Sequence, residues 1–162
     1  MAENTLELLA AVVRMLADAQ VETWLFGGWA EELSGLCPPR AHRDIDLLYP
    51  AQGFHRLDQF LRVQGGIQEV TAKRFPHKRA LEWSGALVEV FLVRPEAEGL
   101  VTDFFGAFPF VWPQDTLSST VTLPGGEWPC ASEAALRQYR ARHGEVEQAY
   151  RDYMMSSGGT LS

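Results

Sequence analysis

A chain of 162 residues, of which 46% are hydrophobic, is long enough for one packed core and short enough to form one domain. Its formal net charge of −7 argues against a nucleic-acid polymer as the main partner, because proteins that bind phosphate backbones usually carry a basic face. No apolar run approaches membrane-spanning length, and residues 1–4 lack the basic region of a signal peptide. We therefore expect a cytoplasmic protein without a membrane partner, in which Cys37 and Cys130 are ordinary thiols.

Helix and strand signals alternate along the first part of the chain. Asn4 and Glu7 resemble a capping box, in which two side chains satisfy free N–H groups at the start of a helix, and apolar residues then recur at helical spacing. The elements predicted up to residue 93 are a helix over 5–19, a strand over 23–26, a helix over 29–36, a strand over 44–50, a helix around 54–61, and strands near 67–72, 74–83 and 86–93. The last three strands extend a mixed sheet.

The remainder of the chain contains an aromatic-rich segment and further helices. Most aromatic side chains of residues 95–115 are assigned to core or strand positions, with an aromatic-lined pocket as the alternative. The elements predicted after this segment are a strand over 120–123, a Pro-Gly-Gly turn, a helix over 132–142 with Ser132 as its N-cap, and a helix over 145–155. We expect a single domain over residues 1–155 and a disordered tail over 156–162.

Asp44 and Asp46 carry the strongest signal for chemistry. Side chains two apart along a strand project from the same face, so both carboxylates point one way while Ile45 and Leu47 point into a core. Parallel carboxylates repel each other unless a cation lies between them, and hard oxygen ligands of this kind suit Mg²⁺. The spacing also arises by chance, so an edge strand or turn with solvated acids is the alternative.

A glycine turn lies shortly upstream of the two acids. Gly27 and Gly28 follow the apolar strand that ends at Phe26, and they precede a short helix in a turn that bulkier residues would not permit. Backbone N–H groups at such a turn, together with the positive end of a helix dipole, can bind phosphate oxygens. The turn and the two carboxylates can together hold a metal-bound nucleoside triphosphate.

These residues resemble the signature of a known family. The series Phe26-Gly27-Gly28-Trp29-Ala30, Arg40, His42 and Asp44-Ile45-Asp46-Leu47 is similar to that of the polymerase-beta-like nucleotidyltransferases. Within them it is closest to the small aminoglycoside enzymes that act on the 2″-hydroxyl and to the lincosamide enzymes. The match covers residues 22–50 and continues beyond them in the order and length of the elements. It implies the nucleotidyltransferase fold, an α+β fold with a mixed β-sheet and helices packed mainly on one face.

The resemblance also implies an activity. A nucleoside monophosphate would pass from a nucleoside triphosphate such as ATP to a hydroxyl of a small acceptor, with Mg²⁺ as the cofactor and Mn²⁺ as an alternative ion. Nucleotide binding is assigned to Gly27, Gly28, Arg40, His42 and Arg43. Some of the other clustered cations, Lys73, Arg74, Lys78 and Arg79, are also candidates for the triphosphate, although solvated hairpin or loop charge is the alternative for any one of the cations. We expect a monomer or a weak homodimer. A regulatory or toxin–antitoxin module, or a degenerate nucleotide binder of the same fold, is the competing hypothesis.

In that family a third carboxylate from a later strand, usually Asp, completes the metal site, and the matching residue here is Glu89. A charge within the apolar run 86–93 is costly to bury unless it is paired or metal-bound; the alternative is a strand that turns this side chain to solvent. The resemblance thus gives Asp44, Asp46 and Glu89 as metal ligands and catalytic residues. Glu89 would also accept the proton of the acceptor hydroxyl, with Glu82 as the next candidate.

Glu31 and Glu32 follow the glycine turn and bear on the identity of the acceptor. A cleft lined by carboxylates would attract a polycationic aminoglycoside, with an attraction that weakens as salt rises. The alternative for either residue is the solvated face of a short helix. Many family members end with a Lys-Asp helix element that this chain lacks, so no role is carried over to its C-terminal helices.

Overall fold

The computed structural model describes residues 4–157 and has five α-helices and nine β-strands within them. In chain order they are α1 (Leu6–Asp18), β1 (Trp24–Phe26), α2 (Gly27–Leu33), β2 (Asp44–Pro50), α3 (His55–Val63), β3 (Gln68–Glu69), β4 (Lys78–Trp83), β5 (Ala86–Glu96), β6 (Gly99–Phe104), β7 (Phe108–Val111), β8 (Ser119–Leu123), β9 (Gly126–Cys130), α4 (Glu133–Ala141) and α5 (His143–Ser156). The expected α+β class with a mixed sheet is confirmed. Residues 158–162 of the expected tail lie outside the described residues.

The N-cap of α4 is the residue predicted from the sequence, whereas the N-cap of α1 is a different residue. Ser132 caps α4 as expected, because its hydroxyl accepts the N–H of Ala135 at 3.2 Å. Helix α1 is capped by Thr5 rather than by Asn4, since Thr5 has the extended backbone that an N-cap needs and accepts the N–H of Leu8 at 3.1 Å. Within residues 4–157, none of the helices has the length and apolar character that a membrane crossing requires.

The main path of the sheet runs β3-β4-β5-β2-β1-β9-β8, and β6 and β7 continue antiparallel from the far end of β5. Strand β2 pairs in parallel with β5 and antiparallel with β1. The two aspartates therefore lie on an interior strand, and the alternative of an edge strand is wrong. Strands paired in parallel are usually buried on both faces, which accounts for the continuous apolar run of β5.

Two segments fold differently from the expectation. Residues 67–72 and 74–77, predicted as parts of two strands, contain the two-residue strand β3, most of a 3₁₀ turn at Thr71–Lys73 and an isolated bridge from Phe75 to Lys78. Pro76 cannot donate to a strand ladder, so the regular strand β4 begins only after it. Strand β9 is not predicted, because Pro129 weakens its strand signal; the Pro-Gly-Gly turn nevertheless leads into it as a hairpin with β8.

Strand β2 separates two environments. Because side chains alternate, Ile45 and Leu47 project to one face, where they are fully buried, and Asp44 and Asp46 project to the other. Helices α4 and α5 border the face that carries the aspartates. The sheet thus places a packed core behind the acids and leaves an open cleft in front of them.

Candidate active site

Strand register brings the three expected carboxylates together. In the parallel pairing of β2 with β5, Asp46 is opposite Glu89 and Asp44 is opposite Leu87. Side chains in register on adjacent strands project to the same face, and all three acids line a cleft of about 470 Å³. Glu89 is only 6% exposed, so the alternative in which its strand turns it to solvent is wrong. The cleft therefore gathers acids that are far apart in sequence.

The glycine turn forms the adjoining wall of the cleft. Gly27 and Gly28 are the first two residues of α2, so this helix begins two residues before the predicted helix over 29–36 and ends at Leu33. They line the cleft directly after β1, whose last residue, Phe26, is opposite Asp46. Gly27 has a φ of +66°, a left-handed conformation that favours glycine. A Cβ atom at this position would lie 2.9 Å from Cγ of Asp46, closer than van der Waals contact allows. The backbone of the turn therefore touches the carboxylate itself.

Gly27→Ala is expected to destabilise the fold by about 1–2 kcal/mol through backbone strain. It should also displace the Asp46 carboxylate and lower activity, because the new methyl group would occupy its position. Gly35→Ala is the matched control: Gly35 has a φ of +77°, and a Cβ atom added there would meet nothing within 4 Å. Urea denaturation should show destabilisation in both variants, larger in Gly27→Ala because its methyl group also meets Asp46, and transferase assays should show a loss in Gly27→Ala alone. Equal activity in the two variants would contradict the close approach.

The two aspartates are difficult to ionise together. Burial raises the pKa of Asp46 to about 7, and the charges of Glu89 and Asp44 add to the effect. Burial and the charge of Glu89 also raise the pKa of Asp44. The cleft thus holds a concentration of negative charge that a cation would relieve.

The metal-free protein is expected to lose stability as pH rises from 3.8, the ordinary pKa of Asp, to about 7. In this window folded Asp46 keeps a proton that the unfolded chain has released, so raising the pH favours unfolding. The difference between the two pKa values corresponds to at most about 4 kcal/mol. Chemical denaturation with a chelator present should show this fall in the wild type and in the surface control Asp18→Asn, and a smaller fall, due to Asp44, in Asp46→Asn. Parallel pH profiles for wild type and Asp46→Asn would contradict it.

Two lysines hold the third acid. The Lys73 ammonium donates to Oε1 of Glu89 at 2.8 Å, and the Lys78 ammonium pairs with Oε2. Burial would raise the pKa of Glu89, but the charges of Lys78 and Lys73 outweigh it and hold that pKa below its ordinary value. Glu89 is therefore ionised at neutral pH, whereas Asp46 is only partly ionised there.

A divalent cation fits Asp44 and Asp46 better than it fits Glu89. Within residues 4–157, no three His, Cys, Asp or Glu side chains converge closely enough to hold a metal ion by themselves. Mg²⁺ commonly takes one or two carboxylates and completes its shell with water and substrate phosphate oxygens. The two aspartates meet this requirement, whereas both oxygens of Glu89 are engaged by lysines.

The other residues expected to bind nucleotide lie behind the glycine turn rather than on the cleft wall. Nε2 of His42 lies 2.9 Å from a carboxylate oxygen of Glu32, and the His42 ring packs on Trp29 with centroids 4.1 Å apart. Arg40 donates its backbone N–H to the same oxygen at 2.8 Å, and Arg43 is exposed. These contacts fix the loop between α2 and β2 against the turn. The role of Arg40, His42 and Arg43 in nucleotide binding stays a prediction.

Glu31 and Glu32 do not form a free acidic rim. Glu31 lines the cleft, but Nε of Arg140 in α4 donates to its carboxylate at 2.7 Å. Glu32 is turned away toward His42 and the backbone of Arg40. The attraction for a polycation that the sequence suggests at this position is therefore largely neutralised by local partners.

Part of the cleft wall consists of residues that no sequence pattern assigned to the site. They are His77, Phe91, Leu136, Tyr139, Arg140, His143 and Val146. Lys78, from the basic segment 73–79, and Phe104 and Phe105, from the aromatic-rich segment, also line the cleft. The aromatic-rich segment contributes both to the core and to the wall of the cleft, because Phe104 is 1% exposed and still borders the cleft. The C-terminal helices contribute to the site although they lack the Lys-Asp element.

His77 is a neutral group on the cleft wall. Burial lowers its pKa to about 3, and the nearby charge of Lys78 contributes to the shift. Its Nδ1 accepts the backbone N–H of Phe105 at 3.0 Å, so the ring proton resides on Nε2. The ring ties the start of β4 to the turn after β6.

Two solved structures of antibiotic-modifying enzymes share this fold. The lincosamide antibiotic adenylyltransferase LnuA, solved with lincomycin bound, has a TM-score of 0.67 and 18% identity over 92% of this chain and 98% of its own. ANT(2″)-Ia, solved in complex with adenylyl-2″-tobramycin, has a TM-score of 0.62 and 16% identity over 93% of this chain and 88% of its own. At these identities the likeness establishes the fold. No curated protein matches the chain by sequence.

One family model covers nearly the whole chain. The model for aminoglycoside-2″-adenylyltransferases matches residues 8–155. The match includes the glycine turn, both aspartates and Glu89, and it extends far beyond the signature at residues 22–50. The resemblance expected from that signature is confirmed. The chain belongs to the aminoglycoside-2″-adenylyltransferase family of nucleotidyltransferases.

Proposed function

We propose that this protein is an Mg²⁺-dependent adenylyltransferase that moves the nucleoside monophosphate of ATP to a hydroxyl of a small antibiotic acceptor and releases pyrophosphate. The observation that carries the proposal is the meeting of Asp44, Asp46 and Glu89 in one cleft beside the glycine turn. The family match and the two antibiotic-modifying neighbours support it. We place the reaction in the cytoplasm, where ATP is supplied.

Asp44 and Asp46 would hold the metal ion, with Mn²⁺ as an alternative to Mg²⁺. When bound, the ion would align the phosphate oxygens and neutralise the charge that develops on them. The raised pKa values of both aspartates support this assignment, because repulsion between acids in a partly buried cleft is relieved by a cation.

The triphosphate would lie against the glycine turn. Gly27 and Gly28 line the cleft beside the aspartates, where their backbone N–H groups would meet the phosphate oxygens. Lys78, which lines the cleft, offers an ammonium group to the same oxygens. Arg40 and Arg43 are exposed cations on the loop behind the turn, and we assign them to the outer phosphates.

Glu89 would accept the proton of the acceptor hydroxyl. A hydroxyl is a poor nucleophile at neutral pH, so a base must take its proton as the bond to the α-phosphorus forms. Only an ionised carboxylate can do so, and the lysines keep Glu89 ionised. Its position in register with Asp46 puts the base beside the proposed metal site.

The deciding experiment is adenylyl transfer to a panel of acceptors. Purified protein is incubated with Mg²⁺, ATP and either tobramycin or lincomycin, and mass spectrometry detects an added adenylyl group on the acceptor. Reactions with a chelator, and with Asp46→Asn in place of the wild type, are the controls. Failure across aminoglycosides and lincosamides with every common nucleotide, while nucleotide still binds, would replace the proposal with a non-catalytic nucleotide-binding module.

A further inference from the structure

A second cavity of about 450 Å³ opens beside the cleft. We call it the side pocket and define it by Phe75, Phe105, Tyr150 and Glu147. The rings of Phe75 and Phe105 meet edge-on with centroids 5.1 Å apart, and Tyr150 lies 5.3 Å from Phe105 and 6.0 Å from Phe75. Three aromatic rings thus form a continuous apolar wall.

The side pocket is continuous with the cleft. Lys78, Phe105 and Val146 line both spaces. In the order of the sheet, the glycine turn follows β1, the aspartates are on β2, Glu89 is on β5, and the side pocket adjoins the start of β4. The side pocket therefore lies beyond Glu89 as seen from the glycine turn. If the turn holds the triphosphate, this is the space next to the base that remains for the second substrate.

The aromatic wall includes a residue in an uncommon conformation. Phe105 has a φ of +58°, in the left-handed region that bulky residues rarely adopt. The hydrogen bond from its N–H to Nδ1 of His77 helps to hold this conformation. Such strained residues cluster at ligand sites, where the surrounding structure imposes them. Here the strain places a phenyl ring at the junction between the cleft and the side pocket.

The charges around the side pocket do not suit a polyamine. Lys73 and Lys78 border it, and both ammonium groups would repel a cationic ligand except where Glu89 neutralises them. Glu147, on the exposed rim, is the only acid in its lining within the described chain, and its neighbour is Nδ1 of His143, 3.4 Å from Oε1, which leaves Oε2 for a ligand. Glu31, on the far side of the cleft, is already paired with Arg140. The lining offers apolar contact over most of its area and a carboxylate for one cationic group.

We propose that the side pocket binds the body of the acceptor, and that this acceptor is an amphipathic hydroxyl compound with an apolar face and a single cationic group rather than a polyamine. The inference rests on the proposed function, since it takes the cleft to be the nucleotide site. Tyr150 would contact the apolar face, and Glu147 would pair with the cationic group.

Direct binding tests the proposal without turnover. Lincomycin, with one basic nitrogen and an alkyl-substituted ring, and tobramycin, a polyamine, are titrated calorimetrically into the protein with Mg²⁺ and a non-hydrolysable ATP analogue present. Tyr150→Ala should weaken lincomycin binding about tenfold, the order of effect expected for loss of an aromatic wall, and leave binding of the ATP analogue unchanged. Tyr150 is 38% exposed, so the variant should fold. Met155→Ala, on the same helix and 75% exposed, is the control.

Three outcomes would overturn the proposal: unchanged lincomycin binding in Tyr150→Ala, tighter binding of tobramycin than of lincomycin, or no binding of either compound. Failure of the proposed function gives a different result. Lincomycin binding that depends on Tyr150, without adenylyl transfer, would reject the proposed activity and support the side pocket as a ligand site. Adenylyl transfer to tobramycin that Tyr150→Ala does not affect would support the activity and reject the side pocket as the acceptor site.

Discussion

Asp46→Asn is expected to lower kcat for adenylyl transfer by about a thousandfold, because loss of a metal-binding carboxylate removes several kcal/mol of charge stabilisation. Asp46 lies at the centre of the acidic group, in register with Glu89 and in contact with the glycine turn. Asn has nearly the same shape as Asp, so it can occupy the space beside Gly27 while it removes the charge. Rates of pyrophosphate release with a reactive acceptor give the measurement.

The stability of Asp46→Asn shows whether its activity is lost because the chemistry fails or because the protein unfolds. Removing a charge from the crowded cleft should make metal-free Asp46→Asn at least as stable as the wild type near neutral pH. We therefore expect a variant that is folded, stable and inactive. Calorimetry should also show weaker Mg²⁺-dependent ATP binding, and affinities equal to those of the wild type would remove Asp46 from the metal site.

Glu89→Gln is expected to lose at least about a hundredfold in kcat, the lower range for removal of a general base. KM for ATP should change much less, because the triphosphate is assigned to the glycine turn. Glu89→Asp restores the acid usual in the family and keeps the charge, so it should retain more activity than Gln. Rate measurements at saturating ATP and acceptor separate kcat from binding effects.

Glu82→Gln is the matched control for the base. Glu82 is the next acid along β4 on the same face, but it is exposed and is not part of the cleft wall. Its replacement should leave kcat unchanged. Wild-type turnover in Glu89→Gln together with a large loss in Glu82→Gln would transfer the role of base to Glu82.

The acidic face could be predicted from the sequence because it depends on local periodicity. Alternation along β2 puts Asp44 and Asp46 on one side of the strand. The two glycines shortly upstream mark a tight turn that brings the backbone close to this side. Register also places Lys78 near Glu89: the strands β4 and β5 are joined by Ser84 and Gly85 alone, and a two-residue hairpin fixes their pairing. The hairpin was a signal in the sequence for the contact between Lys78 and Glu89.

The remaining cleft wall depends on tertiary packing that no local pattern encodes. Tyr139 and Arg140 reach the cleft because α4 packs near α2, more than a hundred residues earlier in the chain. Lys73 lies in a 3₁₀ turn, between the two strands that the sequence predicts over 67–72 and 74–83, so its direction toward Glu89 could not be derived. The same packing pairs Glu31 with Arg140 and cancels the charge on which the sequence-based argument for a polycationic acceptor rests.

The pairing of Lys73 and Lys78 with Glu89 has a kinetic consequence. In the empty enzyme each oxygen of Glu89 is paired with one lysine ammonium, and these contacts lower the basicity of the carboxylate toward an acceptor hydroxyl. The phosphate groups of ATP offer the ammonium groups another anionic partner. Glu89 would accordingly become a stronger base when the nucleotide is in place, so that the acceptor hydroxyl is activated only beside the phosphorus that it attacks.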